Sequence, residues 1–146
     1  IMRTTKTFPK PEDILPHDKP MSLVDQITEF EPGKWIKATT TFNEKAFFYQ
    51  GHFKGNPITP GVILLESMFQ TCGLYLRISA ETTPGFPMIM GRAVKVKNAS
   101  FSKEVKPDQS IEILAKFKHQ MMTFFVFDCQ IHLDGKLVCH SELVLS

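Results

Sequence analysis

The sequence predicts an α+β fold in which one long helix is wrapped by a curved antiparallel sheet of about six strands. Three observations predict it. Val62 to Ile78 runs unbroken and apolar, the chain beyond residue 88 reads as one alternating strand after another, and no second helix is evident. A helix that is apolar around most of its circumference must be covered on several sides, and a sheet curled around it does so with strands alone. A length of 146 residues with 42% hydrophobic content suits one domain spanning residues 1–146.

Residues 1–20 read as an irregular arm. Pro9, Pro11, Pro16 and Pro20 interrupt any regular element and leave at most one helical turn around Glu12 to Leu15. The first strand is expected from Ser22 to Glu31. Glu31-Pro32-Gly33-Lys34 is turn chemistry, and Trp35 to Phe42 alternates so that Ile36, Ala38, Thr40 and Phe42 share one face. A loop over Asn43 to Asn56 leads to the helix, for which Thr59 is the expected N-cap and Pro60 the first helical position. Pro84-Gly85-Phe86-Pro87 lies beyond its end.

Four more strands follow, over Met88 to Phe101, Ser110 to His119, Thr123 to Leu133 and Lys136 to Leu145. Asp134-Gly135 joins the last two as a hairpin, since both residues tolerate positive φ. Phe125, Phe127, Cys129, Ile131 and Leu133 form one face of their strand, which reads as buried.

Composition removes several function classes. A formal net charge of +2 is too small for nucleic acid to be the main partner, and the run Arg92, Lys95, Lys97, Lys103 and Lys106 reads as a solvated strand face. Cys72, Cys129 and Cys139 show no CxxC spacing, so neither a disulfide framework nor a zinc site is expected. No segment is long and apolar enough for a membrane span, and Ile1 to Lys10 has no long apolar core. Together these features predict a cytoplasmic protein without a membrane partner.

The chemistry concentrates at Gly51-His52 and the helix start. His52 lies in a loop, where its imidazole is either a structurally satisfied group or a base that titrates near neutrality. Glu66 stands about 9 Å along the helix from Pro60, with Gln70 one turn beyond on the same face. A carboxylate in so apolar a helix must be paired, held neutral, opened onto a cavity, or set in a polar stripe that meets a second subunit. The first N–H groups of the helix, near Gly61 and Val62, can hold a carbonyl oxygen as negative charge develops on it, and Gly61 admits close approach. Base, acid and oxyanion site suit abstraction of a proton next to a thioester carbonyl. The other candidates are weaker: His17 reads as an arm histidine, His119, His132 and His140 lack metal-ligand spacing, Ser67 lacks a nucleophile elbow, and Cys72 reads as packing. Phe47-Phe48-Tyr49 and Phe124-Phe125 read mostly as core.

Leu15-Pro16-His17, Leu23-Val24-Asp25, Glu31-Pro32-Gly33-Lys34, Gly51-His52-Phe53, Gly55-Asn56-Pro57, Pro60-Gly61-Val62, Glu66 and Gln70 resemble the (3R)-hydroxyacyl-[acyl-carrier-protein] dehydratases of type II fatty acid synthesis, the FabZ type most closely. The similarity spans nearly the whole chain. It implies a hotdog fold and a homodimer whose two sites each borrow residues from both chains, with higher assembly open. It also implies His52 as base, Glu66 of the partner chain as acid, Gly61 and Val62 N–H groups on the thioester carbonyl, and Gln70 in support. The implied partner is acyl carrier protein with its phosphopantetheine-linked chain, and no metal or organic cofactor is implied. Glutamate at position 66 resembles the dehydratase branch, whereas the related dehydratase-isomerases usually carry aspartate. Lys54, Thr59 and Asn98-Ala99-Ser100 depart from the family pattern and leave room for a polyketide or aryl polyene substrate. The rival readings are a hotdog acyl thioesterase and a non-catalytic acyl-binding subunit.

Overall fold

A computed structural model describes residues 7–52 and 54–146. Along the chain lie α1 (Pro11–Ile14), β1 (Gln26–Glu31), β2 (Trp35–Thr41), a 3-10 turn (Phe47–Tyr49), α2 (Gly61–Thr82), β3 (Ala93–Phe101), β4 (Ser110–Met121), β5 (Phe124–Leu133) and β6 (Lys136–Leu145). All strand pairings are antiparallel, in the order β1-β2-β4-β5-β6-β3. The expected helix wrapped by six strands is therefore present. Its core is the inner face of the sheet closed on α2, centred on Met68, Cys72, Tyr75, Ile113, Phe127 and Leu143.

The alternation in the sequence sets these faces. Ile36, Ala38 and Thr40 are buried while Trp35, Lys37 and Thr39 stay partly open, and Phe125, Phe127, Cys129, Ile131 and Leu133 are buried on β5. Tyr75 of α2 anchors the packing, with its ring 5.5 Å from Phe30 and Phe117 and 5.4 Å from Phe127. Asp134 and Gly135 adopt φ of 51° and 76°, the left-handed pair that the hairpin requires.

Three boundaries differ from the sequence expectation. The first strand starts at Gln26, not Ser22, because the backbone before it bonds to the helix: Leu23 N–H donates to Gln70 Oε1 at 2.9 Å and Gln70 Nε2 donates to the Met21 carbonyl at 2.7 Å. β3 starts at Ala93, not Met88. Before it, Gly91 at φ 80° lies so close to Gly73 that a β-carbon there would stand 3.9 Å from the Gly73 Cα, so the chain crosses the helix here, and backbone pairing begins at Arg92, which exchanges bonds with Ser146 at 2.7 and 2.9 Å. Pro60, not Thr59, is the N-cap of α2, with no side-chain hydrogen bond to the helix. The Thr59 hydroxyl is engaged elsewhere, by Tyr49.

The helix is buried nearly all round. The open or partly open positions Val62, Glu66, Phe69, Arg77 and Ala80, with buried Gly73 between Phe69 and Arg77, follow steps of three or four residues along one stripe. The arm at Leu15 to His17 and the segment at Met90 to Ala93 border that stripe around Glu66, Gln70 and Gly73.

Candidate active site

The loop that carries His52 closes on itself. His52 N–H donates to the Tyr49 carbonyl at 3.2 Å, Ile58 N–H donates to the His52 carbonyl at 3.0 Å, and His52 Nδ1 lies 2.9 Å from the Ile58 carbonyl. A carbonyl can only accept, so Nδ1 carries the proton of the neutral ring and the lone pair sits on Nε2. That is the tautomer a base needs.

The helix start adjoins it. The first helical N–H groups bonded back to Pro60 are those of Ile63 and Leu64, at 3.0 and 3.3 Å, which places Gly61 and Val62 N–H ahead of the ladder at the positive end of the helix dipole. His52, Ile58, Thr59, Gly61, Leu64 and Phe101 share a cavity of about 450 Å³ with the 102–104 segment. Phe101 forms its lid: a β-carbon at Gly61 would stand 3.0 Å from the edge of that ring. A bulge between Lys97 and Ser100, with Asn98 at φ 52°, shifts the register just before Phe101. The triplet Asn98-Ala99-Ser100 thus sits in a register-setting irregularity.

Glu66 opens elsewhere. It lies with His17, Gln70, Gly73, Arg77 and Met90 around a separate cavity of about 220 Å³. Five residues after Gly61 it is turned by about 140° around the helix, so one chain presents His52 and Glu66 to different sides. Gln70 Nε2 donates to Glu66 Oε2 at 3.0 Å, and His17 Nε2 stands 3.5 Å from the same oxygen. Both approaches fall on Oε2. Gln70 is 1% exposed and holds the arm and Glu66 at once.

Each residue singled out from sequence thus falls in one of two groups: His52 and Gly61 together, with Val62 at the helix tip, and Glu66 with Gln70 apart from them. By sequence His17 reads as an arm histidine; the structure places it against Glu66. Its place in Leu15-Pro16-His17, inside the stretch that carries the resemblance, was the available signal. Tyr49 had been read as core. It is 6% exposed, yet its hydroxyl bonds Thr59 Oγ1 at 2.7 Å, and burial pushes its pKa above the ordinary 10.0, with Thr59 opposing the shift and Asp108 adding to it. Among the described residues no group of three or more His, Cys, Asp or Glu side chains is arranged to hold a metal ion.

The FabA-like domain family model matches residues 15–142, which takes in both groups. The chain belongs to this family. Within the FabA-like family it is 37% identical over 133 residues to the 3-hydroxyacyl-[acyl-carrier-protein] dehydratase FabZ of Pseudoalteromonas translucida, covering 90% of this chain and 86% of that one. Among solved structures it resembles the dehydratase heterocomplex ApeI:P of Xenorhabdus doucetiae, at a TM-score of 0.77 and 15% identity over 95% of this chain and 91% of that one. It also resembles zebrafish thioesterase superfamily member 2, at 0.65 and 17% over 92% and 88%. These two likenesses establish the hotdog fold alone; the sequence relation separates this FabA-like chain from the thioesterases that share it.

Proposed function

We infer that this chain removes water from a (3R)-hydroxyacyl thioester on acyl carrier protein to give the trans-2-enoyl thioester, in fatty acid synthesis or a related acyl pathway. The observation that carries the reading is the His52 ring, held with its lone pair on Nε2 in the cavity that opens on Gly61. Nε2 takes the α-proton as the Cα–H bond breaks. The charge that builds on the thioester oxygen is met by Gly61 and Val62 N–H groups, and Glu66 gives a proton to the β-hydroxyl as the C–O bond breaks and water leaves. Gln70 and His17, both directed at Oε2, hold Glu66 for that transfer.

One chain does not bring His52 and Glu66 into one cavity, which supports sites shared across a dimer. β3 suggests where the copies meet. It ends the sheet, and each of its nine residues is exposed, so both of its faces are uncovered, Val94, Val96 and Phe101 among them. A long exposed edge of this kind invites a second strand. Three free, buried cysteines suit the reducing cytoplasm as the place of action, and no helix of the described residues is long and apolar enough to cross a membrane.

The decisive measurement is product mass after incubation with 3-hydroxyacyl thioesters on carrier protein and on CoA. Enoyl product is expected; free thiol without enoyl would mean a thioesterase, and tight binding without turnover a non-catalytic subunit. His52→Ala and Glu66→Gln should each lower the rate by about 10³-fold or more while remaining dimeric. Mixing the two inactive variants should restore activity in about a quarter of the sites, the statistics of a symmetric dimer with shared sites. No restoration after subunit exchange would place both groups in one chain.

A further inference from the structure

We propose that the buried hydroxyl pair Tyr49 and Thr59 is a clasp that positions His52, a role specific to a chain with threonine at position 59. The inference rests on the reading of His52 as base. Tyr49 and Thr59 stand at the two ends of the loop that carries His52, and their hydroxyls meet at 2.7 Å in a place where both side chains are buried, 6% and 4% exposed.

Three hydrogen bonds of His52 return to this neck. Its backbone N–H reaches the carbonyl of Tyr49, and its Nδ1–H and its own carbonyl engage Ile58, the neighbour of Thr59. Thr59 N–H is in turn fixed to the Val105 carbonyl at 2.8 Å, in the segment after β3. The clasp therefore joins Tyr49, one partner of His52, to the residue next to Ile58, the other partner, and ties the neck to buried Val105.

The loop needs such a closure. Gly51 and Gly55 adopt φ of 79° and 74°, and neither would meet another atom within 4 Å through a β-carbon, so the loop bends at both without being packed at either. A polar bond across the neck supplies a fixed distance that apolar packing alone does not. The hydroxyl of Thr59 has a phenol of matching reach on Tyr49. The two side chains explain each other. Neither touches a reacting atom in this assignment: they are positioning residues, and what they set is the direction of Nε2 toward the cavity over Gly61.

The test separates a clasp from an ordinary buried hydrogen bond. Tyr49→Phe and Thr59→Val each leave one buried hydroxyl unpaired and should lower the melting temperature. The double variant removes both hydroxyls and should recover that temperature. Positioning is not recovered with it: kcat for dehydration should stay down by about 10-fold or more in all three variants, with KM within about 2-fold. Thr59→Ser keeps the hydroxyl and should rescue kcat. Nitrogen-15 NMR of the His52 ring supplies a readout independent of turnover, showing one tautomer with a protonated Nδ1 in the parent and a mixture in the double variant. A kcat that returns with the melting temperature, or a tautomer unchanged in the double variant, overturns the clasp. If the parent forms no enoyl product, the dehydratase reading fails and the ring tautomer alone decides the clasp.

Discussion

At Gly61 the missing side chain keeps the helix start open. A β-carbon there would press to 3.0 Å against Phe101, which is half exposed and able to yield. Gly61→Ala should therefore cost little in stability, because alanine gains up to about 1 kcal/mol of helix propensity over glycine while the ring moves. The displaced ring enters the substrate cavity instead. We expect KM to rise about 10-fold with the melting temperature shifted by only a few degrees, about 1.4 kcal/mol of binding for that factor. An unchanged KM would show that Phe101 does not border the bound acyl chain. The other site residues were legible one by one, since His52, Glu66 and Gln70 are polar groups in apolar or glycine-rich surroundings. Their hydrogen-bond partners were not. The Ile58 carbonyl, which fixes the His52 tautomer, is a backbone atom that carries no residue signature, and Thr59 looked like a helix cap because its type favours that role.

At the scale of elements, β3 and the cysteine cluster each make a prediction. β3 is exposed on both faces and carries Val94, Val96 and Phe101 beside Lys95 and Lys97. Val96→Lys adds a charge to that edge and, with the proposed dimer meeting at β3, should leave a monomer at micromolar concentration, read by light scattering, with loss of dehydration. A variant that stays dimeric would move the interface away from β3. The thiols of Cys72 in α2 and Cys129 in β5 approach to 3.4 Å, with Cys139 of β6 also buried. Burial pushes the Cys72 thiol up, and burial with the neighbouring Cys129 pushes Cys139 from an ordinary 9.0 to about 12. The folded chain holds these protons more tightly than the unfolded one, so stability is full below about pH 9 and falls as the pH rises from there toward 12. Thermal melts across that range should show the fall. At pH 8 a thiol reagent should label none of the three until the protein is denatured; full labelling of the native protein would contradict it.

For the molecule as a whole, the strands and helix were readable because they depend on local alternation and on breakers such as Pro84-Gly85 and Asp134-Gly135. Boundaries failed where a distant side chain took over the backbone bonding. Ser22 to Asp25 reads as the start of the first strand, yet Gln70 captures the Leu23 N–H and the Met21 carbonyl just before it. Met88 to Gly91 likewise reads as strand and instead crosses α2 where Gly73 leaves room.

The sequence by itself determined one long helix in an antiparallel sheet, the candidates proposed as base, acid and anion-binding helix start, and the family through the block from Gly51 to Gln70. Those are properties of residue type and short spacing, which the chain carries before it folds. Only the tertiary structure decided which nitrogen of His52 bears the proton, that Tyr49 closes the loop on Thr59, that Phe101 lies over Gly61, and that His52 and Glu66 face different cavities. Each depends on a contact between residues that no local period relates, or on a turn of about 140° around a helix whose sides are told apart only once the sheet covers one of them.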